Sequence, residues 1–192
     1  MKILFTTALT PDFYENRKKE YIESFDISKN LIGLENIQII ECLKSDGDFL
    51  NGLTDKIFFS NTNDDSLNKG VKEGKSIKKF LENNAFDDEE IIIKQTGRYK
   101  FISNLFFNNL DKDVDVNVLY GENNNCFFGV FAIKFKWFKH FINTLDFIYM
   151  ENNFISIETL LSNYISKQNL VVKKHEKIDV YSNINNNHLV IW

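Results

Sequence analysis

Cysteine and histidine are scarce in this chain of 192 residues. Cys42 and Cys126 stand alone, with no CxxC spacing and no Cys/His ligand set. That argues against a disulfide framework and makes a reducing compartment, the cytoplasm, the default. His140, His175 and His188 are scattered, without the paired spacing that would hold zinc. Glycine forms no rich loop: the segment Thr6-Thr-Ala-Leu-Thr10, just past the first apolar stretch, has none, which argues against a P-loop or a dinucleotide fingerprint. No Pro/Gly/Ser-rich linker divides the chain and no internal repeat is present, so a single domain over 1–192 is expected. A basic excess is missing as well. The net charge of -4 argues against a broad nucleic-acid surface. No apolar run approaches the roughly 18 residues of a membrane span. The opening Met1-Lys-Ile-Leu-Phe5 is too short for a signal sequence and is soon interrupted by Pro11-Asp12.

Apolar residues are abundant, at 43% with 15% aromatic, and nineteen of them are phenylalanine. Such a chain folds around an aromatic-rich core. Lys2–Thr7, 36–41, 56–60 and 90–94 read as strands, and helical spacing over 17–25 and 68–81 alternates with them. Polar turns fall at Thr10-Pro-Asp12, Ser45-Asp-Gly-Asp48 and 61–65. This alternation predicts an α/β fold with a largely parallel sheet. The second half reads as strands over 115–120 and 127–133 around an Asn123–Asn125 turn, helices over 134–145 and 157–165, and late strands at 170–172 and 178–181. The apolar ending His188-Leu-Val-Ile-Trp192 is what a boundary inside a longer protein would present.

Arginine is the rarest absence of all: of 23 basic residues only Arg17 and Arg98 carry a guanidinium. Asn, Ile and Lys are so common that coding bias favours lysine wherever a generic positive charge suffices. An arginine kept against that bias points to bidentate grip on phosphate or carboxylate, although a surface salt bridge is the plainer reading. Arg98 lies in Ile91-Ile-Ile-Lys-Gln-Thr-Gly-Arg-Tyr99, just past a strand and beside Gly97, where α/β proteins place their ligands.

Five stretches taken together, in order and spacing, resemble one family. They are Arg17-Lys-Lys-Glu-Tyr21, Ile39-Ile-Glu-Cys42, Asn68-Lys-Gly-Val-Lys-Glu73, Ile92-Ile-Lys-Gln-Thr-Gly-Arg-Tyr99 and Ile155-Ser-Ile-Glu-Thr-Leu160. The family is the small nucleotide-sugar glycosyltransferases of the GT-A fold, including the chlorella-virus capsid type encoded by large DNA viruses of algae and amoebae. The resemblance runs over about residues 1–185. It implies a Rossmann-like sheet flanked by helices, with a nucleotide-binding half over 1–100 and an acceptor-binding half over 101–192. It also implies hexosyl or deoxyhexosyl transfer from a nucleotide-sugar donor, expected to be a UDP-sugar, to a glycan or glycoprotein acceptor. A viral origin would put this in the host cytoplasm.

The same resemblance assigns residues to the donor: Thr6, Thr7, Arg17, Glu41, Asn68, Lys69, Glu73, Lys94, Gly97 and Arg98. Thr6 and Thr7 would line the nucleotide cleft, and Glu41 would lie near the ribose or base. Lys69 opens a helix whose free N–H groups favour a diphosphate, whereas the bland reading makes Asn68 a cap and Lys69 a solvated charge. Many family members carry Asp-x-Asp after the central strand to hold Mn²⁺ or Mg²⁺, and here Lys94-Gln-Thr-Gly-Arg98 occupies that place. The literal motif occurs in Asp111-Lys-Asp113-Val-Asp115, where Asp113 and Asp115 are candidate metal ligands or simply part of an exposed acidic loop. Metal dependence and metal independence both stay open.

Inverting transfer needs a carboxylate to take the acceptor's proton. Glu158, set among Ile155, Ile157, Leu160 and Leu161 at a helix start, is the candidate, with a capping role as its alternative. Asp146 and Glu151 are weaker. Phe127–Phe141 is either core or a sugar-stacking platform, Trp137 being the best stacker. Two other functions compete: a binding or interaction module with the same fold but no turnover, and a nucleotidyltransferase. Glu158 discriminates, since a base faces the cleft near Arg98 and a structural acid is buried in a salt bridge.

Overall fold

The computed structural model describes residues 1–8, 14–42, 50, 52–62, 66–121, 124–184 and 187–191. The turns expected at Thr10-Pro-Asp12 and Ser45-Asp-Gly-Asp48 fall outside them, as do 63–65 and Asn123. In chain order the elements are β1 (Lys2–Thr7), α1 (Tyr14–Ile32), β2 (Ile37–Glu41), β3 (Ile57–Phe59), α2 (Lys69–Asn83), β4 (Ile91–Thr96), β5 (Lys100–Phe101) and α3 (Leu105–Asn108). Then come β6 (Val116–Leu119), β7 (Val130–Lys134), α4 (Phe135–Thr144), α5 (Phe147–Asn152), α6 (Ile157–Lys167), β8 (Val172–His175), β9 (Val180–Ile184) and β10 (Asn187–Ile191).

Seven strands form one sheet in the order β3-β2-β1-β4-β7-β6-β8, and β10-β9-β5 form a smaller one. β3, β2, β1 and β4 are mutually parallel, β7 runs antiparallel between β4 and β6, and β8 is parallel to β6. The sheet is therefore mixed, mostly parallel and flanked by helices, as the sequence predicts. The chain winds from β1 outward to β3, then returns to add β4 on the other side of β1. That reversal opens a crevice at the carboxyl ends of β1 and β4, the usual ligand position in such sheets.

Alternation along each strand divides the apolar residues between two faces. Leu4, Ile40, Ile92, Phe131 and Ile133 meet α2, α4 and α6 through Val71, Ile77, Phe80, Phe135, Phe138, Phe141 and Leu161. Ile3, Phe5, Ile37, Ile39, Ile93, Val130 and Ala132 meet Tyr21 and Phe25 of α1 and the small sheet's Phe101 and Val180. Phe128, Phe131, Phe135, Phe138 and Phe141 are thus core. Trp137 packs against that core and donates from Nε1 to Asp115 at 2.9 Å.

β5, α3 and β10 are not read in the sequence, and β8 and β9 begin two residues later than the strands expected at 170–172 and 178–181. Three other elements depart from expectation. The first helix continues seven residues beyond Phe25, to Ile32. The extension packs Ile27, Leu31 and Ile32 on the core and satisfies its buried serines: Ser28 donates to Gln95 Oε1 at 2.8 Å, and Gln95 Nε2 donates to Ser24 Oγ at 3.1 Å and to the Tyr99 carbonyl at 2.7 Å. β7 begins only at Val130, because the chain turns at Phe128-Gly129 into the crevice. α5, unread in the sequence, is a short helix capped by Asp146, whose carboxylate accepts from Tyr149 N at 3.0 Å. Among the described residues no helix is long and apolar enough to cross a membrane.

Candidate functional site

The crevice is a cleft of about 390 Å³ lined from β1, α1, α2, the ends of β4 and β7, and α6. Backbone hydrogen bonds lock its floor. Gly97 N donates to the Thr6 carbonyl at 2.8 Å, and Cys42 N donates to that of Thr7 at 3.1 Å. Gly97 does not line the cleft. A Cβ there would lie 2.8 Å from Phe5 and 2.9 Å from both Thr7 and Tyr21, so glycine is what lets the β4–β5 turn close onto β1. Thr6 and Thr7 do line it.

Both arginines of the chain converge on this cleft. Arg17 Nη1 donates to the Ala8 carbonyl at 3.0 Å, and the Tyr21 hydroxyl donates to the same carbonyl at 3.2 Å. Burial pushes the Tyr21 phenol up to about 12. Arg98 is half-buried, with its guanidinium carbon 5.8 Å from the Tyr99 ring centre, and it makes no salt bridge among the described residues. Lys69 and Lys72 of α2 add two more cations to the lining. Against the chain's acidic balance, the described residues give the cleft four cationic side chains and two acidic ones, Glu73 and Glu158.

Lys94 lies beneath the cleft and does not line it. It is completely buried, and its ammonium donates to Glu73 Oε1 at 2.7 Å, Thr96 Oγ1 at 2.5 Å and the Phe128 carbonyl at 2.7 Å. An ammonium has three donors, and all are used. Burial lowers its pKa, and the Glu73 carboxylate opposes that shift. Strand alternation explains the position: Lys94 shares a face with Ile92 and so points toward α2. The grip on a ligand expected of Lys94 therefore goes to a carboxylate, which also accepts from Thr6 Oγ1 and, at 3.0 Å, from Thr96 Oγ1.

Two helix starts meet at the opposite wall. Asn68 caps α2, its Oδ1 accepting from Gly70 N at 3.0 Å and Val71 N at 3.4 Å. Its Nδ2 donates to the Ile155 carbonyl at 3.0 Å, which ties α2 to the residues just before α6. Gly70 makes the approach possible, since a Cβ there would stand 3.1 Å from Ile157. Asn68 is thus the cap of the bland reading, while exposed Lys69 faces the cleft. At α6 the capping duty falls to Ser156, whose Oγ accepts from Thr159 N at 3.2 Å. Glu158, in the first turn, lines the cleft half-buried and makes no hydrogen bond or ion pair among the described residues. Lys94 and Tyr99 both feel its charge.

The remaining residues singled out in the sequence lie elsewhere. Glu41 is buried at the tip of β2, where its carboxylate and burial push the neighbouring Cys42 thiol up to about 12, burial contributing more. Asp115 accepts from Trp137 and, at 3.0 Å, from Val171 N, and stands 3.7 Å from Lys134. Asp113 closes a turn with Asp111, its N–H donating to Oδ1 at 3.0 Å. None of the three acids lines the cleft. No group of three or more His, Cys, Asp or Glu side chains among the described residues could hold a metal ion, and in the cleft itself Glu73 is already matched by Lys94. Sequence reasoning missed Tyr21, Lys72 and Tyr99 as cleft residues, although each stands in a quoted motif. Phe128 and Gly129 line the cleft from within the stretch 127–141 that the sequence offers as core or sugar platform.

No protein-family model and no curated protein sequence matches the chain. Solved structures do. An active-site mutant of LgtC aligns with 91% of this chain and 72% of its own, at 13% identity and a TM-score of 0.56. A glycosyltransferase involved in glycosylation of the major capsid of PBCV-1 aligns with 91% of this chain and 81% of its own, at 10% identity and 0.54. A Drosophila β1,4-galactosyltransferase 7 mutant, in complex with manganese, UDP-Gal and xylobiose, covers 100% of this chain and 71% of its own, at 11% and 0.52. The sheet is shared beyond sugar transfer: a 4-diphosphocytidyl-2C-methyl-D-erythritol synthase from Anaerococcus prevotii covers 98% of this chain and 92% of its own, at 11% and 0.53. At such identities the likeness speaks for architecture, and the architecture of this chain is the GT-A, Rossmann-like fold.

Proposed function

We propose that this chain is a glycosyltransferase that moves a sugar from a nucleotide-sugar, expected to be a UDP-sugar, to a hydroxyl of a glycan or glycoprotein. One observation carries the reading. The chain's two arginines, two lysines and the start of α2 converge on a cleft at the carboxyl ends of parallel strands, and an unengaged carboxylate, Glu158, faces it. In this reading Arg98 and Lys69, at the start of α2, hold the diphosphate and stabilise the charge that grows as it leaves. Residues 1–100 supply most of the donor side, and 101–192 contribute the acceptor side through α6. Glu158 accepts the proton of the acceptor hydroxyl as its oxygen bonds to the anomeric carbon and the bond from that carbon to the diphosphate breaks. The capsid glycosylation of one structural neighbour suggests a glycoprotein acceptor.

In this reading the arginines and lysines of the cleft carry the diphosphate's charge. Glu158 facing the cleft that Arg98 lines supports turnover over a module that only binds. The test is Glu158→Gln: nucleotide affinity should stay within about twofold, while sugar transfer, measured as nucleotide release with a glycan acceptor panel, falls at least about a hundredfold. A variant that transfers as fast as the wild type removes Glu158 as base. A wild type that binds the nucleotide-sugar but never turns it over favours the binding module.

A further inference from the structure

Glu73 is an acid in a cleft whose other charged lining is mainly cationic, and its two oxygens are used unequally. Oε1 accepts from Thr6 of β1, Thr96 of β4 and the buried ammonium of Lys94. Oε2 makes no hydrogen bond among the described residues, and the side chain, 20% exposed, lines the cleft. Donors from two strands thus clamp one oxygen and present the other to whatever enters. Serving as counter-ion to Lys94 needs only the clamped oxygen.

A carboxylate only accepts hydrogen bonds, and it repels phosphate. On a nucleotide-sugar, the groups it can accept from are neutral donors, and the hydroxyls of the transferred sugar are such groups. The neighbours agree with this. Lys69 and Gly70, about one helical turn earlier in α2, lie where a diphosphate would be held, and Lys94 lies within electrostatic reach of Glu73, Glu158 and Arg98 together.

We infer that Glu73 is a specificity residue whose Oε2 accepts a hydrogen bond from a hydroxyl of the transferred sugar. The inference rests on the glycosyl-transfer reading. It separates the roles of the two acids: Glu73 reads the sugar that is transferred, and Glu158 acts on the hydroxyl that receives it. Because Thr6, Thr96 and Lys94 fix the angle of the carboxylate, a sugar epimer with that hydroxyl reversed would lose the contact.

Calorimetric titration of the pairs UDP and UDP-glucose, UDP and UDP-galactose, GDP and GDP-mannose, and dTDP and dTDP-glucose into wild type and Glu73→Gln tests it. The quantity read is the ratio of Kd for the sugar nucleotide to Kd for the bare nucleotide. For the pair that binds, the ratio should rise about tenfold in Glu73→Gln, as expected for losing a hydrogen bond to a charged group. The bare nucleotide should bind as before or more tightly. An unchanged ratio overturns the inference and leaves Glu73 as counter-ion of Lys94, with the transferase reading intact. A wild type that binds none of these nucleotides removes both. Should Glu73→Gln fail to fold, monodeoxy analogues of the bound sugar are titrated into the wild type. One deoxygenation should weaken binding about tenfold, and a series in which none does so overturns the inference.

Discussion

Replacing Lys94 with methionine probes how the cleft floor is built. Methionine nearly matches lysine in length but carries no charge, so packing against Phe128 survives while the buried hydrogen bonds go. The Phe128 carbonyl loses the donor it has at 2.7 Å, and Glu73 loses one of three at Oε1. Breaking one partner of a buried ion pair costs about 3–5 kcal/mol where the remaining charge is sealed from water. Glu73 is 20% exposed, so water recovers part of that, and a loss of about 2–4 kcal/mol is expected. For a chain of this size that is a fall of roughly 4–16 °C in Tm. Urea unfolding of wild type, Lys94→Met, Glu73→Gln and the double variant measures it as a cycle. The double should be less destabilised than the sum of the singles by about 1 kcal/mol or more, because each single strands the other group. Additive singles, or a Lys94→Met variant within about 0.5 kcal/mol of wild type, would show that the pair does not hold the floor.

Two further outcomes follow from the same packing. Burial raises the Cys42 thiol from 9.0 to about 12 and the Cys126 thiol from 9.0 to about 11, while Tyr21 rises from 10.0 to about 12. The unfolded chain releases these protons first, so stability is intact below pH 9 and declines from there toward pH 12; urea midpoints across that range check it, with Cys42→Ala flattening the slope. Asn68→Ala removes the cap of α2 and its tie to Ile155, which should cost about 1–2 kcal/mol by thermal unfolding. It should also weaken nucleotide binding, because the start of α2 is then unanchored.

Much of the fold was legible because strand and helix periods differ. The alternating segments gave β1, β2, β4, α2 and α6 nearly to the residue, and hence a parallel sheet. Strand order was not legible. Placing β7 antiparallel between β4 and β6 depends on contacts far apart in sequence, and β5 is too short to leave a period. Within the site, rarity was a good guide: coding bias had marked both arginines, and both reach the cleft. Lys94 misled because residue type suggests a ligand contact, while its place in the alternation of β4 turns it inward. Glu158 was caught between capping and function until Ser156, two residues earlier, took the cap. Asp115 looked like half of a metal motif, yet its carboxylate meets Trp137, Val171 and Lys134, partners that no local pattern reveals.

The central claim is that the cleft holds a nucleoside diphosphate through Arg98. Calorimetric titration of UDP, GDP and dTDP, each with EDTA and with Mn²⁺, into wild type and Arg98→Ala tests it most directly. One nucleotide, expected to be UDP, should bind selectively and about equally in both buffers, and Arg98→Ala should weaken it by about tenfold to a hundredfold, the worth of a charge-assisted contact to phosphate. A wild type that binds none of the three in either buffer, or an Arg98→Ala variant that binds as well as the wild type, would contradict the account.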